Sequence, residues 1–238
     1  MGYAAFIKDN FGQNSGYRQV DNEVAWFPLQ KSYENIFRKV KIDVDTMEVL
    51  NNEFIKDKYK VYRQGRLLKD ISPEDFHSFN RVYTGNHQII YTTYGDAKIE
   101  HPETFEALDN GDFNLSNTYR QSYGRDEEFV YYFTEATETE KAVRIKSCHK
   151  PEVFAVLKSG YAKDDKNVYW EGTKLKKANP DTFVVLDFGY GKDNKYVYIG
   201  DRVINEADAA TFKVLNADCA IDCRNCYKNG FVTKENAD

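Results

Sequence analysis

Residues 184–201 read Val184-Val185-Leu186-Asp187-Phe188-Gly189-Tyr190-Gly191-Lys192-Asp193-Asn194-Lys195-Tyr196-Val197-Tyr198-Ile199-Gly200-Asp201, and this stretch decides the fold. Residues 184–190 are rich in strand formers. Residues 192–195 are turn formers whose side chains bond nearby backbone. Residues 196–199 predict a second short strand, Gly200-Asp201 a second turn, and Val203-Ile204 a third short strand.

The stretch repeats. Tyr161, Val168, Tyr169, Ala178, Thr182, Phe183, Val185 and Leu186 align with Tyr190, Val197, Tyr198, Ala207, Thr211, Phe212, Val214 and Leu215, always 29 residues on. Phe54, Val61, Tyr62, Pro73 and Phe76 align with Tyr83, Ile90, Tyr91, Pro102 and Phe105 at the same 29-residue offset. Met47 and Leu50 precede Phe76 and Phe79 by 29. At the end, Cys219, Cys226, Tyr227 and Gly230 fill the slots of Tyr190, Val197, Tyr198 and Asp201. The period breaks once, because Phe105 and Phe154 lie 49 residues apart. The surplus enters as two insertions, at about 109–122 and 134–147.

Asp43, Ser72, Asn179 and Asp208 share one slot, and all are good N-caps. Pro73, Pro102, Pro151 and Pro180 share the next, where proline suits a first helical position. The unit therefore predicts a β-meander closed by one short helical turn. So small a unit cannot bury its own apolar face, so its neighbours are expected to stack. The expected fold is mainly β: one solenoid-like array over 1–238, with copies ending near 50, 79, 108, 157, 186 and 215 and a truncated copy at 216–232.

The strings Lys163-Asp164-Asp165-Lys166-Asn167-Val168-Tyr169-Trp170 and Lys192-Asp193-Asn194-Lys195-Tyr196-Val197-Tyr198 resemble the signature of the bacterial DKNYY repeat family. The resemblance is strongest over 160–215, fair over 53–108 and weak over 1–52. It implies a repeat architecture and a bacterial origin, and it brings no catalytic residue.

Composition narrows the function. Aromatic residues make up 15% of the 238 residues, and the period multiplies them. The acidic balance, a formal charge of −5, argues against a nucleic-acid partner, which calls for a basic stripe. No apolar run is long enough for a transmembrane helix, so no membrane insertion is expected. The first residues lack the cationic stretch and apolar core of a signal peptide, so the chain is expected to be either cytoplasmic or the product of an earlier cleavage.

No catalytic constellation is legible. His77, His87, His101 and His149 form no paired-ligand spacing, and His101 stands in an N-cap slot. There is no nucleophile elbow, phosphate loop or dinucleotide fingerprint. Asp164-Asp165 and Asp193 lack the alternation and closing Glu of a calcium loop. The expectation is no enzyme, no cofactor and no metal site. Cys219-x3-Cys223-x2-Cys226 leaves three readings open: a terminal 219–226 disulfide, unmodified thiols, or a metal site with Cys148 or His149. The disulfide reading leans localisation toward the periplasm or cell surface.

The interrupted copy is the functional candidate. Residues 125–140 contain six acids (Asp126, Glu127, Glu128, Glu135, Glu138 and Glu140) and one base (Arg125); elsewhere acids and bases are equal in number. Tyr119, Arg120, Asp126, Glu127, Glu128, Tyr132, Glu135 and Glu138 are the expected partner-binding residues. They point to a non-catalytic protein-binding module docking a basic protein through an acidic insertion, in concrete form a toxin-neutralising immunity protein. The alternative is an exported surface protein that binds glycan or cell wall through exposed Tyr and Trp side chains such as Trp170.

Overall fold

The computed structural model describes residues 6–20, 23–28, 37–112, 114–116, 118–137, 141–148 and 150–233. The described residues form seven small antiparallel sheets, six of four strands and one of three, each a meander of consecutive strands. The chain divides into two compact units, Met1–Lys98 and Ile99–Asp238.

Unit Met1–Lys98 holds three sheets. The first comprises Phe6–Lys8, Asn14–Val20, Glu23–Trp26 and Arg38–Val40. The second comprises Glu48–Val49, Phe54–Lys56, Val61–Arg63 and Arg66–Leu67. The third comprises His77–Ser78, Thr84–Gly85 and Ile90–Tyr91. Unit Ile99–Asp238 holds four. Its sheet D is Glu106–Ala107, Gln121–Arg125, Val130–Thr134 and Val143–Arg144. Sheet E is Ala155–Val156, Tyr161–Lys163, Val168–Trp170 and Thr173–Lys174. Sheet F is Val184–Val185, Tyr190–Lys192, Val197–Ile199 and Arg202–Ile204. Sheet G is Lys213–Val214, Cys219–Ile221, Cys226–Lys228 and Phe231–Thr233.

Two expectations about the unit change. Residues 184–190 are two strands separated by a turn. Phe188 and Gly189 take φ of 55° and 78°, a left-handed pair that reverses the chain. The helical turn is a 3-10 helix only at Pro102–Thr104 and Pro151–Val153 among the proline slots. Elsewhere it is a plain turn, although the caps bond as expected. Asp43, Ser72, Asn179 and Asp208 each accept the backbone N–H two residues on.

An aspartate organises the hairpin of most copies, and Asn86 takes its place in the third sheet. Asp193 Oδ1 accepts the amides of Lys195 and Tyr196, both at 2.7 Å. Its Oδ2 accepts the Asn179 amide at 3.0 Å and the Tyr198 hydroxyl at 3.3 Å. Asp222 repeats all four contacts with Arg224, Asn225, Asp208 and Tyr227. Asp57 repeats three of them with Tyr59, Lys60 and Asp43. The carboxylate thus fixes its own turn and ties in the preceding proline-slot turn, replacing water at groups that folding removes from solvent. These bonds explain the aspartate of the repeat without a bound cation.

The cation just before that aspartate reaches the other way. Lys56, Lys163 and Lys192 donate to the carbonyls of Pro73, Pro180 and Ala209, each 17 residues on. Arg125 does the same to Pro151. In four of the proline-slot turns a phenylalanine lies between rings of consecutive sheets. Phe183 is 5.2 Å from Tyr161 and 5.8 Å from Tyr198, centroid to centroid. Phe154 bridges Tyr123 and Tyr169, Phe212 bridges Tyr190 and Tyr227, and Phe76 touches Phe54 and Tyr91. The tilt keeps these rings out of the disfavoured face-to-face sandwich. Gly191 makes room for it, because a Cβ there would sit 2.5 Å from Cζ of Phe183. These four triads hold twelve of the chain's 36 aromatic residues.

Candidate functional site

The interrupted copy builds sheet D, and its hairpin is longer than its neighbours'. Gln121–Arg125 pairs with Val130–Thr134 in register from Gln121↔Thr134 to Arg125↔Val130. In sheets E and F the same hairpin has three-residue strands. The inner edges of both insertions are therefore strand.

The expected binding residues divide sharply. Asp126 is buried and is the hairpin aspartate of its copy. It accepts the amides of Glu128, Phe129 and His101 and the hydroxyl of Tyr131. Tyr132 is also buried and donates to Gln121 Oε1. Glu135 Oε2 accepts the Arg120 amide, and the Arg120 guanidinium donates to the Gly111 carbonyl. Tyr119 is half-buried, and its amide bonds Asn114 Oδ1. Glu138 lies outside the described residues. Asp126 and Tyr132 cannot contact a partner because folding already uses them. Glu127 and Glu128 remain, with side chains about three-fifths exposed (62% and 61%).

Those two glutamates sit in the ordinary turn of the repeat. Arg125-Asp126-Glu127-Glu128 occupies the slots of Lys163-Asp164-Asp165-Lys166. At the slot of Glu128, sheets E, F and G carry Lys166, Lys195 and Arg224. Sheet D thus reverses a charge on a turn whose backbone the buried Asp126 holds in place.

His101, missed as a site residue, completes the group. Its amide bonds Asp126, which fixes the backbone. Its Nε2 lies 3.3 Å from Glu128, and its Nδ1 lies 3.6 Å from Glu103 and 3.8 Å from Glu127. Its ring faces Phe129, over which the Arg144 guanidinium sits. Desolvation opposes protonation of His101. The Glu128 hydrogen bond and the charges of Asp126, Glu127 and Glu103 outweigh it and raise the imidazole pKa above its ordinary 6.5. His101, Glu103 and Glu127 each bring one possible metal-ligand atom within 4.8 Å of the others. The face is a rigid, solvent-facing cluster of three carboxylates around one imidazole.

The terminal cysteines correct another expectation. All four cysteines are free. Cys219 pairs with Lys228 and Cys226 with Ile221, so the two are diagonal neighbours and not cross-strand partners. Diagonal side chains are farther apart than a disulfide spans without backbone movement. Cys223 is exposed on the turn, beside the Asp208 carboxylate. Cys148 is half-buried, and burial with the nearby Asp164 charge pushes its thiol up to about 12. His149 lies outside the described residues. Trp170 is half-buried, donates to the Ser159 carbonyl and packs on Gly200.

With this geometry in view, comparison with known proteins gives one match. The family model of the DKNYY family matches residues 28–193 and 83–230. No curated protein and no solved structure matches.

Proposed function

The chain belongs to the DKNYY family, and from that premise we propose that it is a non-catalytic bacterial protein-binding scaffold. Its copies stack as a solenoid-like array, and its acidic face docks a basic protein. A toxin whose basic surface is neutralised by this face is the concrete partner. The observation carrying this reading is the charge reversal at Glu128. It stands with Glu127 on a turn locked from beneath by Asp126, and Glu103 of the Pro102–Thr104 turn joins them around His101. Preorganised exposed carboxylates act mainly on association rate and partner choice.

The test is affinity capture with the products of neighbouring genes, followed by titration calorimetry on the partner. Reversing Glu103, Glu127 and Glu128 to Lys is expected to weaken binding roughly tenfold or more. Binding is also expected to weaken steeply with added salt. A partner whose affinity ignores both the triple reversal and salt refutes the acidic-face reading. Capture of no partner refutes the binding role.

A further inference from the structure

We propose that His101, Glu103 and Glu127 form a site for a divalent transition-metal ion of the zinc class. The site shares two glutamates with the docking face but does not rest on that reading.

It is built on two positions that the repeat brings together. In several copies the residue before the proline slot meets the residue after the hairpin aspartate. Asp43 reaches Lys58 at 3.2 Å, Lys150 reaches Asp165 at 3.7 Å, and Asp208 reaches Cys223 at 3.7 Å. Sheet D places His101 and Glu127 there, and adds Glu103 and Glu128. The four matching positions balance in the neighbouring copies. Sheet E has two bases and two acids (Lys150, Glu152, Asp165 and Lys166). Sheet F has one of each in Asp181 and Lys195, and sheet G one of each in Asp208 and Arg224. Sheet D has three carboxylates and one imidazole, a surplus that calls for a cation. The repeat's own stability does not ask for His101. Asp43, Ser72, Asn179 and Asp208 cap the amide two residues on, and His101 makes no side-chain cap.

The donors fit the ion. Nδ1 of His101 lies 3.6 Å from Glu103 Oε1 and 3.8 Å from Glu127 Oε1, and all three ligand atoms lie within 4.8 Å of one another. Tetrahedral zinc holds nitrogen and oxygen at about 2.0–2.2 Å, which sets its ligand atoms roughly 3.3–3.6 Å apart. Both glutamates are exposed at their ends and can close the difference. Imidazole with carboxylate selects zinc and its neighbours over magnesium and calcium, which take oxygen alone. Glu128 lies 3.3 Å from Nε2. A proton held between them leaves Nδ1 free to ligate, the carboxylate–histidine arrangement that orients metal-bound imidazoles. The backbone is tied before any ion arrives: the His101 amide donates to Asp126, the Glu127 amide to Thr104 Oγ1, and the Thr104 hydroxyl to the His101 carbonyl. Three protein ligands leave a fourth position open to solvent.

The test is titration of zinc chloride into the full chain at neutral pH, read on the histidine ring nitrogens by NMR. The ring readout separates this site from the terminal thiols, which also attract zinc. The His101 ring is expected to shift to saturation at micromolar zinc, before His77 or His87 responds. Glu103→Gln and Glu127→Gln are each expected to weaken that response about tenfold or more. His101→Asn installs the cap residue of Asn179 and keeps all three glutamates. Calorimetry on it is expected to lose one zinc equivalent while a docking partner still binds, so the two readings can fail separately. A His101 ring that zinc leaves unmoved overturns the proposal, even if the cysteines take metal. So does an equal response of His77 or His87, an equal response to magnesium, or an unchanged zinc affinity in either glutamine variant.

Discussion

Removing the Asp193 carboxylate is the sharpest test of the hairpin architecture. Asp193→Ala leaves four donors without their acceptor: the amides of Lys195, Tyr196 and Asn179 and the hydroxyl of Tyr198. The two turn amides can recover water at the surface. Tyr198 is fully buried, and the Asn179 contact is partly so. Each stranded buried donor costs about 1–3 kcal/mol, so the substitution is expected to cost about 3–4 kcal/mol in all. That is a large share of the ~5–15 kcal/mol that holds a typical domain folded. Asp165→Ala is the matched control. Asp165 is exposed, and its 3.7 Å ion pair with Lys150 is worth about 0–1 kcal/mol. The assay is urea unfolding followed by Trp170 fluorescence, in a Trp26→Phe background so that only the second unit reports. With m of about 1–3 kcal/mol/M, the midpoint is expected to fall by roughly 1–4 M at constant m. Tyr198→Phe should cost less in the Asp193→Ala background than alone, because its partner is already gone. A loss under about 1 kcal/mol, or one no larger than that of Asp165→Ala, refutes the view that this carboxylate ties turn to turn.

Three further outcomes are expected. His101 is expected to titrate above its ordinary value by proton NMR and to fall back in Glu128→Gln. Its folded-state pKa is raised, so the stabilisation is complete below the unfolded pKa and is lost as pH rises through the folded one; a His101 titrating below 6.5 contradicts the cluster. Gly191→Val is expected to cost about 1–3 kcal/mol by wedging the Phe183 ring, and Phe183→Ala about 3–5 kcal/mol by emptying the triad. Thermal melts that leave either variant unchanged contradict the triad packing. Alkylation at pH 8 with mass readout is expected to modify Cys223 first and Cys148 last, since exposure favours the one and a raised thiol pKa disfavours the other; the reverse order refutes this.

The period was legible because the repeated slots carry chemistry with few substitutes. A ring between two sheets must be large and a turn carboxylate or amide must accept from the backbone, while a proline suits the start of the turn without being required, since Ala209 stands in that slot. The other end of each hydrogen bond was not legible. Nothing in the order of residues says that Asp193 Oδ2 reaches Asn179 fourteen positions back, or that Lys192 reaches Ala209 seventeen ahead. The cysteine pair misled for a related reason. The hairpin slots were right, but the register sets Cys219 against Lys228, and register decides which side chains meet.

The acidic segment shows how a charge count blurs a site. Counting over 125–140 merged a turn, a strand and part of an insertion. Val130 and Tyr131 align with Val168 and Tyr169 at an offset of 38. That alignment assigns Asp126 to the same buried role as Asp164, and both accept the hydroxyl of the tyrosine five residues on. Once the repeat aspartate is subtracted, the informative residue is Glu128, an acid where Lys166, Lys195 and Arg224 stand in its neighbours. Repeat slots are constrained by packing, so a partner or ligand can be read only at positions the repeat does not need. In this chain those positions converge on the one copy whose period fails.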